Sequence, residues 1–153
     1  MKRVSRDGGK LVYRLGRPER DLLLAVLDRY PLIPPAHQPV SRNAPAGALQ
    51  QCQQLLDEAL AEQRGENRRR LKTLLRDPKR FRETDTGWLL ALSAADREWL
   101  LQILNDLRVG SWLRLGSPAE DLPEMDLDAE RAPDAMTMQM AGLFQMRLLE
   151  QPD

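Results

Sequence analysis

Residues 93–116 read SAADREWLLQILNDLRVGSWLRLG, and this stretch decides the fold that the rest of the chain can adopt. Ser93 is a favourable N-cap, because its hydroxyl can accept a hydrogen bond from a free N–H of the first helical turn. Gly116 stands where a left-handed C-cap residue is needed, and Pro118 discourages continuation of the helix. The sequence therefore predicts one long helix over residues 93–116.

This central helix is apolar on two sides. At about 100° per residue, one broad face collects seven residues: Trp99, Leu100, Ile103, Leu104, Leu107, Gly110 and Leu115. A second apolar set lies on the other side: Leu101, Val109, Trp112 and Leu113. Helices of this kind lie in the middle of a bundle or at an interface. We therefore expect a mostly buried helix whose remaining apolar surface contacts a second copy or a protein partner.

Four polar residues interrupt the helix: Asn105, Asp106, Arg108 and Arg114. Arg114 projects from the apolar face, so it needs an ion-pair partner or a path to water along its own stem. The acidic loop that follows could supply the partner. The four residues form either a structural network that fixes helix register or a ligand or acid–base site. We favour the structural interpretation, because no general base with a nucleophile partner is visible.

Some of these residues resemble the signature helix of a bacterial family of unknown function, domain-of-unknown-function family number twenty-seventeen. Trp99, residues 104–108 (LNDLR) and Leu113, Leu115 and Gly116 carry the resemblance, which Gly8-Gly9, Glu19-Arg20 and residues 143–149 extend over most of the chain. The family has no established activity, so the resemblance implies no catalytic residues. Genes of the family often neighbour a Clp-protease adaptor gene, which implies a link to regulated proteolysis.

Length and composition indicate one soluble helical domain over residues 1–153. The net charge is zero, which argues against a strong overall attraction to nucleic acid. One cysteine permits no internal disulfide and fits a reducing cytoplasm. The N-terminus has no apolar core of a signal peptide, and no apolar run approaches the roughly 20 residues of a membrane span. We therefore predict a cytoplasmic protein without a membrane partner.

The other elements are arranged around the central helix. We predict a hairpin over 3–15, a helix over 18–30, a proline-rich loop over 31–45, a long helix over 45–76, a connector over 81–86, a strand over 87–92 and a last helix over 133–151. The long helix keeps its apolar phase through Gly65, so we favour an unbroken helix although glycine costs about 1 kcal/mol there. The fold class is mainly α: a four-helix, orthogonal bundle-like domain with a small antiparallel sheet made of the hairpin and one short strand.

The last helix is rich in methionine. By spacing, its buried stripe is Met136, Met140, Leu143, Phe144 and Leu148, with Met138, Met146 and Leu149 beside it. Methionine is flexible enough to fill irregular gaps in a core or to adapt to a partner.

Residues 64–82 form a basic tract, with nine basic and two acidic residues and a local charge of +7. Arg69, Lys72 and Arg76 share the outward face of the predicted helix and are the candidate nucleic-acid face. No aromatic residue is interleaved in the helical part, and no nucleic-acid-binding motif surrounds it. We interpret the tract as a solvated helix face, which makes nucleic acid an unlikely partner.

An acidic loop mirrors the basic tract. It has a local charge of −6, with Arg131 set against Glu120, Asp121, Glu124, Asp126, Asp128, Glu130 and Asp134. The loop lacks the glycine and the distal glutamate of a calcium-binding loop, so we predict no metal site. We interpret the two tracts as a pair whose opposite charges neutralise each other, within the molecule or across a dimer.

The remaining chemistry is limited. Cys52 lies on the apolar stripe of the long helix, where we expect a buried thiol. His37 has no acid or nucleophile near it in sequence and reads as a surface histidine. With one cysteine and one histidine, catalytic triads and multi-histidine metal sites are largely excluded, and no phosphate-binding or dinucleotide-binding motif indicates a cofactor.

Three functions remain open. A non-enzymatic protein-interaction module leads, a nucleic-acid-binding protein using residues 64–82 is second, and an enzyme with a site around Asp106 and Arg108 is third.

Overall fold

The computed structural model describes residues 1–32, 46–119 and 128–150. Within these ranges four strands and four helices follow one another: β1 (Lys2–Asp7), β2 (Lys10–Leu15), α1 (Arg17–Asp28), α2 (Ala46–Arg76), β3 (Phe81–Thr84), β4 (Gly87–Leu92), α3 (Ala94–Arg114) and α4 (Ala132–Leu149). The protein is mainly helical with a small antiparallel sheet, as predicted, and the orthogonal crossing of the helices stays a prediction. His37 and most of the predicted proline-rich loop lie outside the described residues.

The sheet is antiparallel with the strand order β1-β2-β4-β3. The predicted strand over 87–92 is confirmed as β4, but the prediction of three strands is wrong, because part of the supposed connector forms β3. Phe81 at its start is buried in the core. Gly87 allows the chain to turn back from β3: its φ is +135°, and a Cβ atom would lie 2.4 Å from the Leu15 carbonyl oxygen.

α3 lies in the core, and its predicted seven-residue apolar face is buried throughout. Leu104 and Leu107 are completely excluded from solvent. The Ser93 hydroxyl caps the first turn by accepting a hydrogen bond from the Asp96 N–H at 3.1 Å. Gly116 follows the last turn with φ of +88°, as a left-handed glycine should.

α2 runs without a break through Gly65, which confirms the prediction of one long helix. Its C-terminal end packs into the core through Leu71 and Leu74, which are both buried. In contrast, no residue from 47 to 70 is buried. About 35 Å of this helix, at 1.5 Å per residue, therefore lies outside the core.

The face that α4 presents to the core agrees only in part with the predicted stripe, since Phe144 and Leu148 are buried as predicted and Met140 is half-buried against the core. The buried residues of α4 include Ala135, Thr137, Ala141, Phe144 and Leu148, whereas Met136 is 56% exposed and Leu143 is 38% exposed. The prediction that Met136 and Leu143 belong to the buried stripe is therefore wrong. The small side chains explain the difference, because Ala141 and its neighbours let α4 approach α3 more closely than methionine would.

A buried tyrosine joins the sheet to α4. The Tyr13 hydroxyl of β2 donates a hydrogen bond of 2.9 Å to the Leu148 carbonyl oxygen. The sheet and the helices thereby share one hydrophobic core. No helix in the described part of the chain combines the length and the apolar composition that a bilayer crossing requires.

Candidate functional site

Asn67 of α2 fixes the floor of a cleft. Its side-chain amide nitrogen donates to the Tyr30 hydroxyl at 3.1 Å, and its side-chain oxygen accepts from the Trp99 indole N–H at 2.9 Å. Tyr30 and Trp99 are buried, and Asn67 is half-buried. Because both ends of the amide are engaged, its orientation is fixed and α2 is held against α3 and the segment after α1.

The cleft itself has a volume of about 660 Å³ and lies between α2, α3 and residues 30–32. Its lining is mixed: the polar members include Gln63, Arg64, Asn67, Gln102, Asn105 and Asp106, and the apolar members include Leu32, Leu60 and Val109. Gly110 lets the segment after α1 approach α3, because a Cβ atom there would lie 2.9 Å from Leu32 Cβ. An open cleft with this lining suits a peptide or another amphipathic ligand.

Asp106 is a titratable residue of the cleft whose pKa is shifted by its surroundings. Although its side chain keeps contact with water, burial raises the pKa of Asp106 above its ordinary value, and the nearby Arg64 guanidinium works against that rise. A carboxyl group in this setting can change its protonation when a ligand removes the remaining water. No metal cluster of three or more His, Cys, Asp or Glu side chains occurs among the described residues.

The four polar residues of the central helix do not lie together. Asn105 and Asp106 line the cleft. Arg108 lies on the α4 side of the helix, where its guanidinium is 3.5 Å from the Gln145 side-chain oxygen and lies over Gly142. The supposed cluster is therefore distributed over separate surfaces of α3, and Arg108 is not a lining residue of the cleft.

Arg114 ends in a separate ion cluster. Its Nε donates to Asp134 at 3.1 Å, and Arg29 donates to the other oxygen of the same carboxylate at 2.6 Å. Arg29 also binds the Pro133 carbonyl oxygen at 2.7 Å and the Thr137 hydroxyl. The partner that Arg114 needs thus comes from the first turn of α4, and it fastens α4 to both α1 and α3.

The basic tract is divided between structural pairs and an open face. Arg70 stacks on Trp99 with 4.2 Å to the ring centroid, and both Arg70 (3.0 Å) and Arg80 (2.6 Å) pair with Asp96. Burial alone raises the pKa of Asp96, but hydrogen bonds from Ser93, Arg70 and Arg80 outweigh it and hold the pKa well below its ordinary value. The candidate nucleic-acid residues are all exposed on α2: Arg69, Lys72 and Arg76.

We expect no tight binding of duplex DNA or RNA at about 150 mM salt, where counterion release drives binding less strongly than at low salt. The physical reason is that the net charge is zero and that Arg70 and Arg80 are already paired with Asp96. Fluorescence anisotropy of a labelled mixed-sequence duplex measures this directly. Tight binding that disappears with Arg69→Glu would contradict the prediction.

The prediction for Cys52 needs correction, and the prediction for the acidic tract lies partly outside the described residues. Cys52 is exposed, so the prediction of a buried thiol is wrong: the segment of α2 that carries it lies outside the core. Of the acidic tract, residues 120–127 lie outside the described residues. Asp134 pairs with Arg29 and Arg114, neither of which belongs to the basic tract.

Large apolar side chains are exposed on all four helices of the described part of the chain, and those on α3 and α4 bear on the expected interaction surface. On α3, Val109 is 45% and Trp112 is 39% exposed. On α4, Met136, Met146 and Leu149 are 56%, 59% and 58% exposed. The expectation of leftover apolar surface on these helices is confirmed.

The outer face of the sheet is a basic surface that sequence analysis did not identify. Since Leu11, Tyr13 and Leu15 point into the core, Lys10, Val12 and Arg14 point outward. Arg82 and Arg14 each pair with Leu89 through the backbone, which places both beside it on this face. The alternation in β2 was a usable signal, but the sequence analysis grouped Lys79, Arg80 and Arg82 with the basic tract 64–82 because it did not predict β3.

Comparisons with known proteins gave no match: no family model, no curated protein and no solved structure is similar to this chain.

Proposed function

We propose that this protein is a non-enzymatic protein-interaction module. The observation that supports the proposal most strongly is the exposure of Met136, Met146 and Leu149 on α4, beside a core that is already filled. Apolar side chains that form a contiguous exposed surface are candidates for a binding role.

The outward face of α4 has the geometry of a helix-binding surface. Met136, Leu143 and Met146 are spaced by seven and three residues, so they lie on one side of the helix. Methionine adapts its shape to different partners at low cost. The partner that fits is an amphipathic helix, from a second copy of this chain or from another protein.

A link to regulated proteolysis is part of this proposal. It rests on the resemblance to the family whose genes often neighbour a Clp-protease adaptor gene. A cytoplasmic location agrees with the single cysteine of the chain. Within this setting the module would bring a partner to, or keep it from, the proteolytic machinery.

Met146→Glu is expected to weaken association without unfolding the protein, because the residue is 59% exposed and a charge would be buried at the interface. We expect the dissociation constant to rise at least about tenfold, which is 1.4 kcal/mol. Light scattering at micromolar concentration measures self-association, and affinity capture from native lysate measures a different partner.

Leu55→Glu is the matched control, since Leu55 is 66% exposed but lies on α2. A monomer whose captured proteins are the same for wild type, Met146→Glu and Leu55→Glu would contradict the proposal.

The cleft supports a second candidate, a ligand-binding or acid–base site at Asp106. The observation in its favour is that Asp106 lies in a cleft of about 660 Å³ with a raised pKa. Arg108 would not take part, because it faces α4. Among the described residues, the lining contains Tyr30, Glu98 and Asp106 but no serine, cysteine or histidine, so this part of the cleft fits binding better than nucleophilic catalysis.

A further inference from the structure

A small recess on the outer face of the sheet brings together four cations from separate parts of the chain. Lys10 comes from β2, Lys79 and Arg80 come from the connection between α2 and β3, and Arg82 comes from β3. The recess has a volume of about 130 Å³, and its other lining residues are Val12, Leu89 and Ala91. Backbone pairing of β2 and β3 with β4 fixes these positions, so the cations are held together by the fold itself.

The charge in the recess is not balanced by the described residues that line it. None of the described side chains lining it is acidic. Asp96 pairs with Arg80, but it pairs with Arg70 as well, so one carboxylate faces two guanidinium groups. Like charges gathered in one small recess repel one another, and a bound anion would reduce that repulsion.

Of the four cations, Arg80 is half-buried, whereas Lys10, Lys79 and Arg82 are exposed. The Arg80 side chain is 23% exposed, and its Nη2 lies 2.6 Å from Asp96. Asp96 is itself fixed by the Ser93 hydroxyl at 2.6 Å, at the start of α3. A guanidinium has five N–H donors, so this pair leaves others for a ligand while it removes much of the side chain's freedom.

We infer that this recess binds a phosphoryl group, as a phosphomonoester carries it. Arginine and lysine together supply the directed donors and the positive charge that a tetrahedral dianion requires. The recess has room for a single oxyanion with an apolar neighbour against Val12 and Leu89, and it does not form a track for a nucleic-acid strand. The site lies on the sheet, separate from α4, and is independent of the proposed interaction function.

Inorganic phosphate is the first probe. In a titration followed by ¹H–¹⁵N NMR, with chloride adjusted to keep the ionic strength constant, saturable shifts are expected at Lys10, Arg80, Arg82 and Leu89. The double variant Lys10→Gln/Arg82→Gln should weaken binding at least about tenfold, since each loses a charge-assisted hydrogen bond. Arg69→Gln/Arg76→Gln is the matched control, because it removes the same charge from the exposed face of α2.

The control variant should bind phosphate like wild type. Shifts that are spread over the whole protein and do not saturate would overturn the inference, as would equal weakening in the two double variants, since either result means general screening of charge.

Two further probes identify the source of the phosphoryl group. Competition of phosphoserine with phosphate at the same residues would assign the site to soluble phosphomonoesters, including phosphorylated peptides. Co-sedimentation with phosphatidic acid vesicles but not with phosphatidylcholine vesicles, lost in Lys10→Gln/Arg82→Gln, would assign it to a lipid headgroup. Failure of phosphate, phosphoserine and phosphatidic acid vesicles alike would overturn the inference and leave the association test on α4 unaffected.

Discussion

Leu104→Asp is expected to unfold the protein. Leu104 is completely excluded from solvent in the middle of α3, and its neighbours along the buried face are apolar. An unpaired carboxylate at this position costs several kcal/mol, in addition to the loss of the leucine contacts. This approaches the whole stability of an ordinary domain, which is about 5–15 kcal/mol. Circular dichroism and thermal denaturation of the purified variant measure the effect.

Val109→Asp is the control for this prediction, since it puts the same charge on the same helix at a residue that is 45% exposed. It is expected to change the free energy of unfolding by less than about 1 kcal/mol. A soluble Leu104→Asp variant with the melting temperature of the wild type would show that α3 is not the centre of the core.

The central helix was predictable because its ends and its core face are both encoded locally. Ser93 and Gly116 mark where it begins and ends, and the larger of its two apolar sets, seven residues at helical spacing, is the one that is buried. α4 offers two apolar arcs instead. The predicted stripe is right for Phe144 and Leu148 but wrong for Met136 and Leu143, because the arc that packs closely is centred on small residues such as Ala141. Hydrophobicity alone does not distinguish a core face from a binding face.

β3 was missed because its four residues, FRET, contain one apolar side chain and no alternation. Its strand state comes from pairing with β4, which is a tertiary effect. The basic recess could not be predicted without β3, because Arg82 and Lys10 come together only when their strands pair with β4. The cleft was equally hidden, because it combines Asn67 with Trp99 and Tyr30 across large separations in sequence. The sequence identifies Asp106 as a charged residue within an apolar helix, but it does not show which surface that residue faces.

Asp134→Ala is expected to destabilise the protein by about 2 kcal/mol. Asp134 is 6% exposed and is the shared acceptor of Arg29 and Arg114. Breaking a fully buried ion pair costs about 3–5 kcal/mol. The cost here is smaller, because the two arginine side chains are 27% and 44% exposed and are partly screened by water. Urea unfolding measures the difference, with Glu130→Ala as an exposed control in the adjoining turn.

Variants of the two arginines can show how much of the lost stability comes from each ion pair of Asp134. If the carboxylate acts through both of them, Arg114→Ala and Asp134→Ala should be less than additive in a double-mutant cycle, because each removes the same contact. Arg29 should then retain part of its role through the Pro133 carbonyl oxygen and the Thr137 hydroxyl. An Asp134→Ala variant within about 0.5 kcal/mol of wild type, the range of ordinary surface substitutions, would contradict the prediction. It would mean that apolar packing alone holds α4, and with it the exposed Met136 and Met146, against α3.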